Sequence, residues 1–92
     1  MGFTKVEGKN KGDVKLYALS TCGWCGKTKK LLENLGVEYS YVDVDLLDSE
    51  EEKDAVREIE RWNPRGSFPT IVINNERSIV GFKEGEIRGA LR

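Results

Sequence analysis

The chain has 92 residues, 38% hydrophobic and 34% charged, with a formal net charge of −1. That length makes one domain, whose folding buries roughly 60–65% of the surface an unfolded chain exposes, and no apolar run approaches the ~18 residues of a membrane-spanning helix. A near-neutral balance without an aromatic-interleaved basic stripe argues against nucleic acid as a partner, and two cysteines with no histidine leave a four-ligand zinc site incomplete in one chain.

Residues 1–12, rich in Lys, Gly and Asn, read as a loose lead-in with a short edge strand around Thr4 to Val6, ahead of a domain over residues 13–92. Met1 to Val6 lack the apolar segment of a secretory signal, and Val6 does not fit an N-myristoylation motif, so the cytoplasm is the expected compartment. Val14 to Leu19 is a compact, mostly apolar run suited to a central strand. After Ser20 and Thr21 the pattern turns helical, with Thr28, Leu31, Leu32 and Leu35 on one face and Gly36 as the stop.

A second strand is predicted over Val37 to Val44. Ser49 with Glu52 three residues later forms a capping-box signature, and the helix it opens carries Ala55, Val56, Ile59 and Trp62 on one side before stopping at Asn63-Pro64. Thr70 to Ile73 and Ser78 to Val80 flank a short turn at Asn74 to Arg77 and predict a hairpin. Glu84 to Leu91 forms a final short helix. The order is β-α-β-α-β-β-α. The helix between the first two strands makes them parallel, the hairpin is antiparallel, and the expected architecture is an α/β fold with a four-stranded mixed sheet flanked by helices.

Charge is unevenly spread along this chain, +4 over residues 1–36 and −7 over residues 37–63. Solvated helix faces account for both blocks, and the asymmetry can also steer a charged partner. Lys29 and Lys30 are expected to be plainly solvated, leaving Lys27 as the cation able to act on the chemistry described next.

Both cysteines lie in Ser20-Thr21-Cys22-Gly23-Trp24-Cys25-Gly26-Lys27, where the first strand hands over to the first helix. Ligands of such sheets gather at the carboxyl ends of the parallel strands. A thiolate, not a thiol, attacks a disulfide, and backbone N–H groups at a helix N-terminus favour the anion. Cys22 is accordingly expected to be the nucleophile. Cys25, one turn into the helix, is the resolving thiol that displaces Cys22 from a mixed disulfide. Trp24, inside the dithiol loop, is expected to face a partner, whereas Trp62 continues an apolar helix face and is expected in the core.

The dithiol after the first strand, Phe68-Pro69-Thr70 opening the third, and Gly81 just after the hairpin resemble the glutaredoxins, of the thioredoxin-like superfamily, over roughly residues 13–92. The resemblance implies a thioredoxin fold and a thiol–disulfide oxidoreductase, with a cis peptide bond before Pro69 beside the reactive sulfur. It also implies that the backbone of Phe68 is open to a substrate strand. The substrate groove it implies comprises Thr21, Trp24, Lys27, Arg65, Phe68, Pro69, Thr70, Gly81, Phe82 and Lys83, with no metal ligand among them. Thr70 either offers its hydroxyl or packs, Phe82 either lines the groove or supports the last helix, and Arg65 is either an anion contact or an ordinary loop arginine.

Two departures from the family pattern bear on the electron donor. Many glutaredoxins place a Lys three residues before the first cysteine to meet a glutathione carboxylate, and here that residue is Leu19; where a glycine pair and an Asp complete the glutathione site, this chain reads Gly81-Phe82-Lys83-Glu84. A Gly-Phe-basic run is more like the redoxins that serve ribonucleotide reductase and draw electrons from a thioredoxin reductase. The expected partners are disulfide-containing client proteins and either a reductase or a low-molecular-weight thiol such as glutathione, with no tightly bound cofactor and a monomeric protein. A competing reading is a [2Fe–2S] carrier, in which Cys22 of two chains and two external thiols would hold the cluster. A third is a non-catalytic binding module using the Phe68-Pro69 groove alone.

Overall fold

The computed structural model describes residues 2–91; the terminal residues of the expected 1–12 lead-in and 13–92 domain, Met1 and Arg92, lie outside the described residues. Strand β2 (Val14–Ala18) runs through the centre of the sheet, and its alternation decides the packing. Leu16 and Ala18 point to one face and Tyr17 to the other. Helix α1 (Gly23–Asn34) connects β2 to β3 (Tyr39–Asp43), and the two strands are parallel with Leu16 opposite Tyr41. Strand β4 (Thr70–Ile73) pairs antiparallel with the other edge of β2 and turns back into β5 (Arg77–Val80). At the turn, Asn74 and Asn75 both take positive φ, and the Glu76 amide donates to the Ile73 carbonyl at 3.0 Å. Asn tolerates that region better than most residues.

The sheet has five strands in the order β1-β3-β2-β4-β5, one more than the expected four, because the short edge strand expected around Thr4 to Val6 joins it. The addition is β1 (Thr4–Val6), antiparallel to β3 with Lys5 opposite Ser40. Part of the lead-in is therefore built into the sheet. Lys9 exchanges backbone hydrogen bonds with Gly36 and Glu38, and a Cβ on Gly8 would fall 2.6 Å from the Val37 carbonyl carbon, so only glycine fits that approach.

Helix α1 ends in a Schellman arrangement: Gly36, at φ 70°, donates to Glu33 O, and Val37 donates to Leu32 O. A single 3₁₀ turn (Val44–Leu46) follows β3. Helix α2 (Ser49–Trp62) is capped one residue earlier than expected: Asp48, not Ser49, accepts from the Glu51 amide at 2.9 Å. Val56 is also corrected, since it is 38% exposed while Ala55 and Ile59 carry the buried face. Helix α3 (Glu84–Ala90) closes the chain. Helices α1 and α3 pack on the Leu16 face with Leu31, Leu32, Ile87 and Leu91, and α2 packs on the Tyr17 face.

Candidate active site

The residue that ends the β2 connection and caps α1 is Cys22. Its backbone is extended (φ −88°, ψ 117°), and its sulfur accepts the Cys25 amide at 3.2 Å, the bond that a serine or aspartate oxygen makes at other helix starts. No acidic residue stands in the first turn of α1 to oppose a negative sulfur. Cys22 is half-buried, whereas Cys25 is 0% exposed and belongs to the core beside Leu16, Ala18 and Leu32. Burial first, and then the hydrogen bond and charge of the neighbouring Cys22 sulfur, push the Cys25 thiol up to about 12, with the Leu19 backbone and Lys29 opposing in part. Cys25 is thus held as a neutral thiol, and part of what holds it is Cys22 itself.

The second element is the start of β4. The Phe68–Pro69 bond is cis, and the Pro69 carbonyl accepts from the Gly81 amide at 2.8 Å, which ties the loop before β4 to the end of β5. Trp24, Phe68, Pro69, Gly81 and Phe82 together line a cavity of about 200 Å³. Trp24, 57% exposed, stacks on Phe82 with centroids 5.7 Å apart, and the Lys27 ammonium lies 4.4 Å above the Trp24 ring. Phe82 takes both roles open to it: it lines the groove and packs against the core under α3.

The remaining candidates fall outside that cavity. Thr70 is 0% exposed, and its hydroxyl donates to Ser67 O at 2.8 Å while accepting from the Asn63 amide group, so it braces the loop behind the groove. Arg65 is exposed on that loop, its backbone amide held by the Asn63 side chain at 3.2 Å. Lys83 is exposed and paired with Glu86 at 3.7 Å, and Thr21 is exposed in the turn before Cys22. Trp62 is half-buried against the α2-side core, as its place on the helix face predicts.

Two interactions had no local signal. Asp45, in the 3₁₀ turn, accepts from both the amide of Ser20, at 2.8 Å, and its hydroxyl, and these bonds hold its carboxyl below the usual carboxylate range. Lys29 is not plainly solvated: it pairs with Asp43 at 3.0 Å and lies 4.3 Å over the Tyr41 ring. Each links the dithiol segment to the end of β3.

A family model described as Glutaredoxin matches residues 14–78, and the chain belongs to the glutaredoxin family, whose members are thiol oxidoreductases with the thioredoxin-like fold. The glutaredoxin of Methanosarcina mazei Go1 is 56% identical, with a TM-score of 0.92 over 97% of this chain and 86% of that one. Methanosarcina acetivorans methanoredoxin is 55% identical, with a TM-score of 0.90 over 91% of this chain and 88% of that one. An uncharacterized glutaredoxin-like 8.6 kDa protein in the rubredoxin operon of Clostridium pasteurianum is 34% identical over 74 residues, 80% of this chain and 91% of that protein.

Proposed function

We propose that this chain reduces disulfides by a two-cysteine exchange, with Cys22 as nucleophile and Cys25 as resolver. The observation that carries the assignment is the half-exposed Cys22 sulfur at the α1 cap, hydrogen-bonded by the amide of a fully buried Cys25. The Cys22 thiolate attacks one sulfur of a client disulfide, forming a Cys22–client bond and releasing the other client sulfur, which takes up a proton. That step turns a charged sulfur beside Cys25 into a neutral disulfide and removes two of the influences that hold the Cys25 proton. Cys25 then gives up its proton and attacks Cys22, closing the Cys22–Cys25 disulfide and expelling the second client thiol. Two electrons have passed to the client, and a reduced donor returns them.

Chemistry of this kind needs one chain and a compartment reducing enough to keep the dithiol, so the protein acts as a monomer in the cytoplasm. A [2Fe–2S] cluster would instead need Cys22 of two chains with two external thiols, whereas the exchange uses the half-buried Cys22 and the buried Cys25 of one chain. Limiting iodoacetamide on the reduced protein, mapped by mass spectrometry, should label Cys22; preferential labelling of Cys25 would reverse the two roles.

The donor in this reading is a thioredoxin-reductase-type system rather than glutathione. Leu19 is half-buried against the α2-side core and offers no charge where the family meets a glutathione carboxylate. A lost charge-assisted hydrogen bond is worth about 1.5–3 kcal/mol, or roughly ten- to hundred-fold in affinity. Lys83 is engaged by Glu86 and Lys27 by the Trp24 ring. Turnover of a small disulfide with NADPH and a thioredoxin reductase should exceed turnover with glutathione and its reductase, and Leu19→Lys should raise only the latter. Equal rates from the unmodified protein would shift the anion contact to Lys27, Arg65 or Lys83 and discard this donor.

A further inference from the structure

When the disulfide belongs to a folded or unfolded protein, Cys22 can reach its sulfur only if the client also covers the surface around Cys22. Among the described residues, three large hydrophobic side chains are exposed: Leu46 at 71%, Trp24 at 57% and Val56 at 38%. A single exposed leucine is ordinary, and Val56 lies on the exposed side of α2. Leu46 is set apart by what holds it. It ends the 3₁₀ turn after β3, and its neighbour Asp45 binds the Ser20 amide and hydroxyl, two residues before Cys22. Asp43, at the end of β3, holds Lys29, one turn beyond Cys25. The segment carrying Leu46 is fastened twice to the junction that carries the dithiol.

Strand order places this segment opposite the hollow lined by Trp24, Phe68, Pro69 and Phe82. β2 lies between β3 and β4, so residues 43–46 flank the Cys22 junction on one side and Phe68-Pro69 on the other. The groove side presents Trp24 with Lys27 over its ring. The Leu46 side is acidic: Asp45 and Asp48 bracket Leu46, and Glu50, Glu51 and Glu52 follow in the first turn of α2. The uneven charge along the sequence therefore becomes a difference between the two flanks of the reactive sulfur.

We propose that Leu46 is a docking contact for protein clients, forming with Trp24 a two-sided apolar rim about Cys22, and that favoured clients present an apolar residue accompanied by basic residues to the Leu46 flank. The proposal rests on the exchange reading above and specifies the partner it serves. Apolar cover at Leu46 supplies affinity, and the carboxylates around it select the sign of the client's charge and speed its approach.

The test compares Leu46→Ser and Leu46→Met with the unmodified protein on insulin and on bis(2-hydroxyethyl) disulfide, a molecule with no surface to lay over Leu46. Leu46→Ser should lower kcat/KM on insulin by roughly three- to tenfold, mainly through KM, with the small disulfide within about twofold, and Leu46→Met should recover most of the loss. Two synthetic peptide disulfides, identical except for Leu-Lys-Lys or Leu-Glu-Glu beside one cysteine, should differ severalfold in favour of the lysine form, and added salt should shrink that difference. An equal loss on both disulfides would make Leu46 a structural residue of the loop, and no loss on insulin or no preference between the peptides would remove the docking role. Failure of the unmodified protein on both disulfides would instead overturn the exchange reading.

Discussion

On one face of the sheet α1 and α3 enclose Leu16, Ala18, Ile71 and Ile79, with Cys25 inside that core; on the other, α2 alone covers Tyr17, Val42 and Val72 through Ala55 and Ile59. The first face is the more closed, under two helices with a hollow of about 350 Å³ between them, whereas the second, under one helix, is the more open, with a hollow of about 530 Å³ bordered by Phe3, Tyr17 and Trp62. The contrast explains where the chemistry sits. In the proposed exchange the resolving thiol must stay protonated until it is needed, and burial on the closed face holds Cys25 in that state. The open face supports the site from a distance, through the β3 end that holds Ser20 and Lys29.

The largest effects should come from separating the half-exposed sulfur from the enclosed one. Cys22→Ser should lower disulfide turnover about a thousandfold or more, because the nucleophile is gone. Cys25→Ser should still attack a client and stop there, so intact mass spectrometry after mixing with an excess of protein disulfide should find the client covalently attached. A stable adduct on Cys22→Ser and none on Cys25→Ser would reverse the comparison.

Packing should distinguish the faces next. Leu32 is 0% exposed beneath α1 and Ile59 is 1% exposed beneath α2. Truncation of either to Ala falls within about 2–5 kcal/mol, with Leu32→Ala, in the larger core under two helices, toward the top and Ile59→Ala, in the smaller core under one helix, toward the bottom. Val56→Ala, on the exposed side of α2, should change stability by about 0.5 kcal/mol or less. Urea unfolding of the three variants measures the order, and an Ile59→Ala cost above that of Leu32→Ala would show that the α2 face is the tighter of the two.

Alkaline titration touches both faces at once. Burial raises Cys25 on the closed face from 9.0 to about 12 and Tyr17 on the open face from 10.0 to about 12. A raised folded-state value means that the unfolded chain releases its proton first, so the stabilisation is complete below the ordinary values and is lost as pH rises toward 12. The urea midpoint of the reduced protein should fall between pH 9 and 11, less steeply in Cys25→Ala and in Tyr17→Phe. If both variants follow the unmodified protein, the two groups are not the ones that titrate.

Local signals carried much of this molecule into view. The Cys-x-x-Cys pair at a strand-to-helix handover, Gly36 as a helix stop, and Pro69 opening a strand each leave a mark within a few residues of the feature they make. What stayed hidden depends on partners far along the chain. The short strand at Thr4 to Val6 is legible in the sequence, but its pairing with β3, which makes it part of the sheet, is not. The Asp45–Ser20 and Lys29–Asp43 contacts span 25 and 14 residues, and Thr70 is drawn behind the groove by Asn63 and Ser67. Composition and periodicity do not encode which of several acids meets which donor.

The shift of the α2 cap from Ser49 to Asp48 gives the smallest and sharpest test, because the two residues are neighbours and only one can stand at the cap position. That bond holds the Asp48 carboxyl below its usual range, so its stabilisation is present above the ordinary carboxylate value and is lost as pH falls through the lowered one. At pH 7, Asp48→Ala should lower the thermal midpoint by about a few degrees, as loss of an N-cap does, and Ser49→Ala should leave it nearly unchanged. The gap between Asp48→Ala and the unmodified protein should then narrow as the solution is acidified and Asp48 takes up its proton. A gap constant with pH would mean that Asp48 acts through shape rather than charge, and a larger effect from Ser49→Ala would return the cap to the residue that the capping-box pattern names.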